Sequence, residues 1–424
     1  MRIGGVGAGF TGLAAAYSLA KSGHKVFVFE KGDLPGGLAS GYKKANWDWA
    51  LDKHYHHFFT NDSFTLNLAK EVDQKVLILR PKTSTLIKGS IYQLDSPKSL
   101  LEFPLLTPFE RFKMGITLAF LRFSPFYKGF DKYKAMEFLP KMMGKKGFEM
   151  IWKPLFLAKF GKYSKSVSLA WFWARIKKRT TSLAYPEGGF LIFAEKIKDA
   201  CEKKGATFNF NSEVIEIEKD YLKIKTNSKI RKEKFDRIIF TASSPIFLKS
   251  VKSLPEKYKE NLTNLKSLAA TNLLLRFKKP FLAEDTYWLN VCEPESKLMA
   301  VVEHTNFIDK KFYNNESLVY VGHYVSYNHP YLKMTKEELL REFHPYLLLL
   351  NKNYQKNLIG TELSKDLFAQ PVITTNYLKK IPPFETPISN VFLANMDHVY
   401  PWDRGVNYAI ELGVKIANEV VKNT

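Results

Sequence analysis

Ile3-Gly4-Gly5-Val6-Gly7-Ala8-Gly9-Phe10-Thr11-Gly12 opens the chain. A helical stretch from Leu13 to Ser22 follows, then Gly23, then His24-Lys25-Val26-Phe27-Val28-Phe29-Glu30. The order is strand, glycine loop, helix, strand, acid. Gly7 suits a tight turn, Gly9 lets backbone approach a pyrophosphate, and Gly12 lets the helix pack closely on the strand. The helix start offers free N–H groups and the positive end of a dipole. Gly7, Ala8, Gly9, Phe10, Thr11 and Gly12 are therefore candidate cofactor-binding residues. Glu30 stands where a carboxylate accepts both ribose hydroxyls, which disfavours a 2′-phosphate and hence NADP. Ala16 and Gly23 are small at the helix–strand contacts, and Gly23 suits the end of the helix. Gly4-Gly5 departs from the pattern and weakens the first strand.

After Glu30 come Lys31, Asp33 and Gly36-Gly37-Leu38-Ala39-Ser40. Here the sequence resembles the family of FAD-dependent amine oxidases, protoporphyrinogen oxidases and phytoene-desaturase-like proteins. Gly36, Gly37 and Ser40 match that family's Gly-Gly-x-x-x-Ser/Thr turn, which lies along the FAD. Leu38 stands where the family often has Arg. The resemblance implies FAD as cofactor and adds Lys31, Gly36, Gly37 and Leu38 to its binding set. It returns in Phe208–Ile217, a single strand in which Val214 would present its backbone to the adenine. It returns again in the strand Val391 to Asn395, the loop through Asp403-Arg404-Gly405 and a helix from about Asn407 to Val421. There the ribityl contact would fall to Asn395 or Asp403, and Asn407 would begin the closing helix. Tyr185-Pro186-Glu187-Gly188-Gly189-Phe190 matches a further family loop near the flavin. The whole chain also resembles a bacterial subgroup known generically as FAD-dependent or NAD(P)/FAD-dependent oxidoreductases.

The fold class implied is α/β, a discontinuous Rossmann-like FAD-binding domain with an inserted α+β substrate domain. Residues 1–75, 185–245 and 388–424 make the first, and 76–184 and 246–387 the second. Only one nucleotide fingerprint is present, so an acceptor other than NAD(P) is expected: oxygen, a quinone, or none.

Composition narrows the class. With 424 residues, 45% hydrophobic and 25% charged, the chain is globular with a sizeable core, not disordered or collagen-like. Two cysteines, Cys201 and Cys292, exclude a disulfide framework and a Cys-rich metal site, and they fit a reducing compartment. No apolar run reaches the ~18 residues of a spanning helix, and no signal-peptide pattern opens the chain. A cytoplasmic protein is expected.

The net charge of +22 is unevenly spread. Residues 104–178 hold 16 Lys+Arg, 4 Asp+Glu and 17 aromatics. An even spread would place about +4 there rather than +12. Within this stretch Thr107-Pro108-Phe109-Glu110 is a capping box with proline at the first helical position. Phe109, Phe112, Ile116, Phe120 and Phe123 follow at helical spacing, flanked by Lys113 and Arg122. The plain reading is a core helix whose apolar stripe faces the substrate domain. The other readings are contact with an anionic membrane surface or with nucleic acid. No nucleic-acid module accompanies the patch, so no nucleic-acid partner is expected.

Candidates for the substrate side are Trp152, Arg175 and Arg179, since arginine clamps carboxylate or phosphate with two parallel bonds. His56 and His57, in Asp52-Lys53-His54-Tyr55-His56-His57-Phe58, are candidates beside the flavin. That histidine run lacks the ligand spacing of a metal site, and no metal is expected. His304 and Arg404 sit in polar-aromatic strings within apolar surroundings and are ligand-side candidates. The reading is an FAD-dependent oxidoreductase taking a hydride from a C–H or C–N bond of a bulky, apolar, partly anionic small molecule of porphyrinogen- or polyprenyl-like class. One alternative is a flavin-dependent isomerase resembling UDP-galactopyranose mutase. The other is a membrane-surface flavoprotein with a binding role. Substrate identity, catalytic residue and oligomeric state stay open.

Overall fold

The computed structural model describes residues 1–422; the last two residues of the expected segment 388–424, Asn423 and Thr424, lie outside it. Five parallel strands form the first sheet, in the order Thr207–Asn209, Lys25–Phe29, Arg2–Val6, Arg237–Phe240, Val391–Leu393. Parallel neighbours need crossovers. The first crossover is the helix Phe10–Lys21, which starts at Phe10 rather than at Leu13 because Gly9 is already its extended N-cap. Gly23, at φ +82, closes it by donating to the Ala20 carbonyl. On the helix side of the sheet, Val406–Lys422 crosses Phe10–Lys21 at close range: a Cβ on Gly413 would meet the Thr11 carbonyl oxygen at 2.4 Å.

Gly7 takes φ +100, which a side chain resists. A Cβ on Gly12 would lie 2.0 Å from the Gly7 carbonyl oxygen, so helix and loop touch as the spacing predicts. The Gly4-Gly5 departure has its own cause. Phe235 covers Gly4, leaving 2.9 Å to a Cβ there, whereas at Gly5 the nearest atom is an ordinary 3.5 Å away. The single strand expected over Phe208–Ile217 is two strands. Asn211 at φ +51 donates to the Gly32 carbonyl and turns the chain between Thr207–Asn209 and Ser212–Ile217. The second of these joins an antiparallel meander with Tyr221–Thr226 and Lys229–Lys234.

The second large sheet has seven strands, in the order Leu358–Pro371, Ser267–Phe277, Ser317–Val325, Ala300–Glu303, Thr286–Val291, Lys82–Ile87, Ser90–Gln93. Its strand Ser267–Phe277, one in from the edge, alternates. Leu273, Leu275 and Phe277 pack with Leu339, Phe343 and Leu347 of the helix Lys336–Leu350, while Leu274 joins the core shared with the first sheet. A helical layer spans 97–178 around Met114, Leu121, Leu139, Phe156, Phe160, Trp171 and Trp173.

In that layer the helix Pro108–Phe123 has its expected cap: Glu110 N–H donates to Thr107 Oγ1 at 3.3 Å, and Thr107 N–H donates to the Glu110 carboxylate at 2.8 Å. Its orientation overturns the core-helix reading. Met114, Thr117 and Leu121 are buried, and the Phe109, Phe112, Ile116, Phe120, Phe123 stripe faces outward. The neighbouring core is already filled by Phe130, Phe148, Leu139 and the tryptophans, so the slimmer side of the helix packs inward.

Candidate active site

The carboxyl ends of the parallel strands meet the first glycine loop. The helix that follows begins without a side-chain cap and without an acid in its first turn. Gly36 N–H donates to the Ala8 carbonyl at 2.9 Å, which seats the second glycine turn on the first. Above Gly9 a Cβ would meet only the Gly37 Cα, at 3.9 Å. Ser40 Oγ is buried nearby without a hydrogen-bond partner among the described residues. The Glu30 carboxylate accepts from Ala8 N–H and Gly32 N–H, both at 2.8 Å, and keeps further lone pairs. An open cradle over glycine, an uncapped positive helix end, an orphan hydroxyl and an acid at the strand end fit an FAD diphosphate and ribose.

Around this cleft Lys31 pairs with Glu213 at 2.9 Å on the surface. Val214 is buried on a strand that bulges between Val214 and Glu216. Asn395 is committed to protein: Nδ2 donates to the Ala242 carbonyl and Ser244 Oγ, and Oδ1 accepts from Asp397 N–H. Asn407 Oδ1 accepts from Thr65 N–H at 3.1 Å, which ties the start of the last helix to the helix Ser63–Glu71.

A small, solvent-open cavity lies between the second glycine turn and the seven-stranded sheet. Leu38, Tyr55, His56, Asn272, Tyr324 and Arg404 are on its wall. His56 Nδ1 must donate to the His54 carbonyl, 2.7 Å away, because a carbonyl only accepts. In the neutral ring Nε2 is then a bare acceptor. Burial, and then Arg404, push His56 down to about 3. Burial followed by Arg179, Arg175 and Arg404 does the same to His57, also to about 3, and its Nδ1 shares a hydrogen bond with the Tyr287 hydroxyl. Both rings are neutral across ordinary pH, so neither contributes a limb near pH 6.5 to a rate profile. Replacing each by alanine is expected to slow turnover or shift the flavin band; variants unchanged in both readouts would remove them from the site.

Two cations grip one carboxylate beside this cavity. Asp403 accepts from Arg175 Nη1 at 2.6 Å, Trp171 Nε1 at 3.0 Å and Gln370 Nε2 at 3.2 Å, with Lys159 Nζ at 3.5 Å. Arg404 Nε donates to Gln370 Oε1 at 2.9 Å, while its two terminal amino groups have no hydrogen-bond partner among the described residues. Lys159 and Arg404 both lie over the Tyr324 ring. Arg179 belongs to the same field, its side chain densely surrounded yet reached by water. Burial pushes Lys159 down to about 7, Asp403 opposing and Arg175 and Arg404 adding to it. The carboxylate itself is held well below the usual range by Lys159 and Arg175, which outweigh its burial. The asymmetry follows from the number of partners: Asp403 meets two cations, whereas Lys159 meets one carboxylate and the like charges of Arg175 and Arg404.

The structure thus brings His56, His57, Arg175, Arg179 and Arg404 to one region and adds Asp403 to it. His304 is elsewhere, enclosed in the core with Nε2 bonded to the Tyr313 hydroxyl at 2.9 Å and Tyr185 and Tyr320 around it. Trp152 packs edge-on against Phe172 in the helical core. Sequence reasoning passed over Lys159, Tyr55, Tyr324 and Gln370. Lys159 left one trace, a cation inside the apolar run Leu155-Phe156-Leu157-Ala158-Lys159-Phe160. The others come from sheet strands and a loop and left none.

Comparison with known proteins places this geometry. The family model for flavin containing amine oxidoreductases matches residues 10–421. A 15-cis-phytoene desaturase of Synechococcus elongatus is 28% identical over 158 residues, covering 33% of this chain and 33% of that protein. The chain spans a third or less of the length of the curated relatives it matches. A crystal structure of reduced UDP-galactopyranose mutase superposes with a TM-score of 0.79 at 16% identity, covering 100% of this chain and 96% of that one. A candidate protoporphyrinogen oxidase of Exiguobacterium sp. 255-15 gives 0.73 at 15%, covering 100% and 99%. At such identities the two structures show the shared fold.

Proposed function

Since the chain belongs to the flavin-containing amine oxidoreductase family and is an FAD-dependent oxidoreductase, we propose that it oxidises a C–H or C–N bond of a bulky, apolar, partly anionic small molecule of porphyrinogen- or polyprenyl-like class. Bound FAD supplies the hydride acceptor. The proposal extends to the division of labour: 1–75, 185–245 and 388–424 hold the cofactor, and 76–184 with 246–387 receive the substrate. It also places the protein in the cytoplasm, at the periphery of an anionic membrane.

The observation that supports the reading is Arg404 on the cavity wall, beside the Arg175–Asp403–Lys159 cluster. Arg175 and Lys159 share one carboxylate, and the two terminal amino groups of Arg404 have no hydrogen-bond partner among the described residues and can meet a carboxylate or phosphate. Tyr55, Tyr324 and Leu38 give the same cavity an apolar side against which a bulky apolar substrate can pack. The bare Nε2 of His56 accepts an N–H or O–H from the substrate and orients it.

The test begins with anaerobic mixing of holoprotein with apolar anions and their neutral analogues, read as bleaching of the flavin band. An anion that bleaches it is expected to lose roughly a hundredfold in kcat/KM in Arg404→Ala, the size of a lost charge-assisted pair, and its neutral analogue to lose little. No bleaching by any such compound, or equal losses for both, would overturn the reading. The same cluster suits a diphosphate, which supports an isomerase as second reading. Turnover that requires pre-reduced flavin and consumes no acceptor would decide for it.

A further inference from the structure

We propose that the outer face of the helix Pro108–Phe123 is a docking surface for an anionic lipid bilayer, on which the helix lies in the interfacial plane. The inference gives the proposed peripheral placement a surface and does not depend on the flavin reaction. Phe109, Phe112, Ile116, Phe120 and Phe123 are 72, 60, 54, 44 and 78% exposed. They recur every three or four residues, on the side opposite buried Met114, Thr117 and Leu121. Sixteen residues make a helix of about 24 Å. Leu101 and Phe126, just beyond its two ends, are exposed as well. A soluble surface scatters large apolar side chains singly; five along one helix face mark an interface.

The face is held outward. The capping box fixes the helix start. At the other end Arg122 Nη1 donates to the carbonyls of Ile176 and Arg179, and Lys177 Nζ donates to the Phe123 carbonyl. These bonds fasten the helix to Leu169–Lys178, the helix that carries Arg175 and leads to Arg179. The docking helix is therefore tied to the segment that carries Arg175 and Arg179.

Charge selects the occupant. Residues 97–146 hold ten Lys+Arg and four Asp+Glu. Three of the acids are already engaged: Glu110 by Lys146, Glu137 by Lys134 and Glu102 by Lys98. A second copy of the chain would bring these like charges together, whereas an anionic leaflet attracts them while the rings enter the headgroup boundary. No helix among the described residues is long and apolar enough to cross a membrane, so the contact is with the surface only.

The test uses FAD-loaded full-length protein and phosphatidylcholine vesicles with and without roughly a third phosphatidylglycerol. Wild type is expected to float with the anionic vesicles, to float far less with the neutral ones, and to be released as salt rises from about 0.1 to about 0.5 M. The pair F112D/F123D is expected to bind at least about tenfold more weakly, with its flavin band intact because both positions are exposed. Absence of flotation, equal binding to both vesicle types, or undiminished binding by the pair would overturn the proposal. So would a wild-type dimer in sedimentation that the pair dissolves, which would assign the face to a second copy. Flotation with no flavin bleaching by any apolar anion would count against the substrate reading and leave the docking face standing.

Discussion

A Gly12→Ala protein is expected to purify without FAD and to unfold at markedly lower denaturant than wild type. The added methyl would lie 2.0 Å from the Gly7 carbonyl oxygen and 3.1 Å from Thr241 Oγ1. Neither can yield cheaply. Gly7 is fixed between two strands, its N–H donating to the Phe29 carbonyl at 2.9 Å, and Thr241 Oγ1 donates to the Val6 carbonyl at 2.8 Å. The helix would have to move off the loop by more than an ångström, on the order of the displacement that overpacking forces at about 3 kcal/mol. The displaced helix end would no longer aim its amides at the diphosphate. Gly5→Ala is the control. Its methyl meets Val28 at 3.5 Å in ordinary strand conformation, so the variant should keep FAD and gain about 0.4–1 kcal/mol from a less flexible unfolded chain. Flavin content after gel filtration and a urea titration read both outcomes. A Gly12→Ala protein with full flavin would show that the loop does not hold the cofactor.

The contrast between these two glycines shows what was legible in the sequence. Gly7, Gly9 and Gly12 could be read because their spacing is set by local geometry: a turn, an approach, a crossing. Gly4 could not, because the ring that needs its space belongs to Phe235, far along the chain. The same limit governs the site. Arg175 and Arg404 stood out as cations among aromatics, but nothing in their neighbourhoods showed that Asp403 joins them, since that carboxylate meets donors from residues 159, 171, 175 and 370. His304 misled for a related reason. A polar residue in an apolar string signals a partner, and the partner was the core hydroxyl of Tyr313 rather than a ligand. The outward Phe stripe misled most. Periodicity identifies an apolar face without saying which side the rest of the chain covers, and here Met114, Thr117 and Leu121 cover the inner side.

Replacing Asp403 by asparagine is expected to cost about 1–3 kcal/mol, the size of a charge-assisted partner lost from a half-buried cluster. The mutant keeps the shape and loses the one carboxylate that, among the described residues, pairs with Arg175 and Lys159. The remaining cations then repel, and Lys159, already lowered by burial with Asp403 as its chief support, is pushed further toward neutrality. The pH dependence follows from the direction of the shift. Folding lowers the Asp403 carboxyl below its unfolded value. Its contribution is therefore fully present above about pH 4, the unfolded range, and fades as pH falls through the lower folded value. The gap between wild type and D403N should be widest at neutral pH and narrow in acid. A second readout separates a binding cluster from a merely structural one. Inorganic phosphate, which can occupy the space among Arg175, Arg404 and Lys159, should raise the melting temperature of D403N more than that of wild type, by ligand linkage to the folded state. Chemical denaturation from pH 3 to 8 and thermal melts with and without phosphate supply the data. A variant as stable as wild type at pH 7 would mean that Arg175 and Lys159 do not depend on this carboxylate. No phosphate shift in either protein would mean that the cluster organises the fold and does not receive an anion.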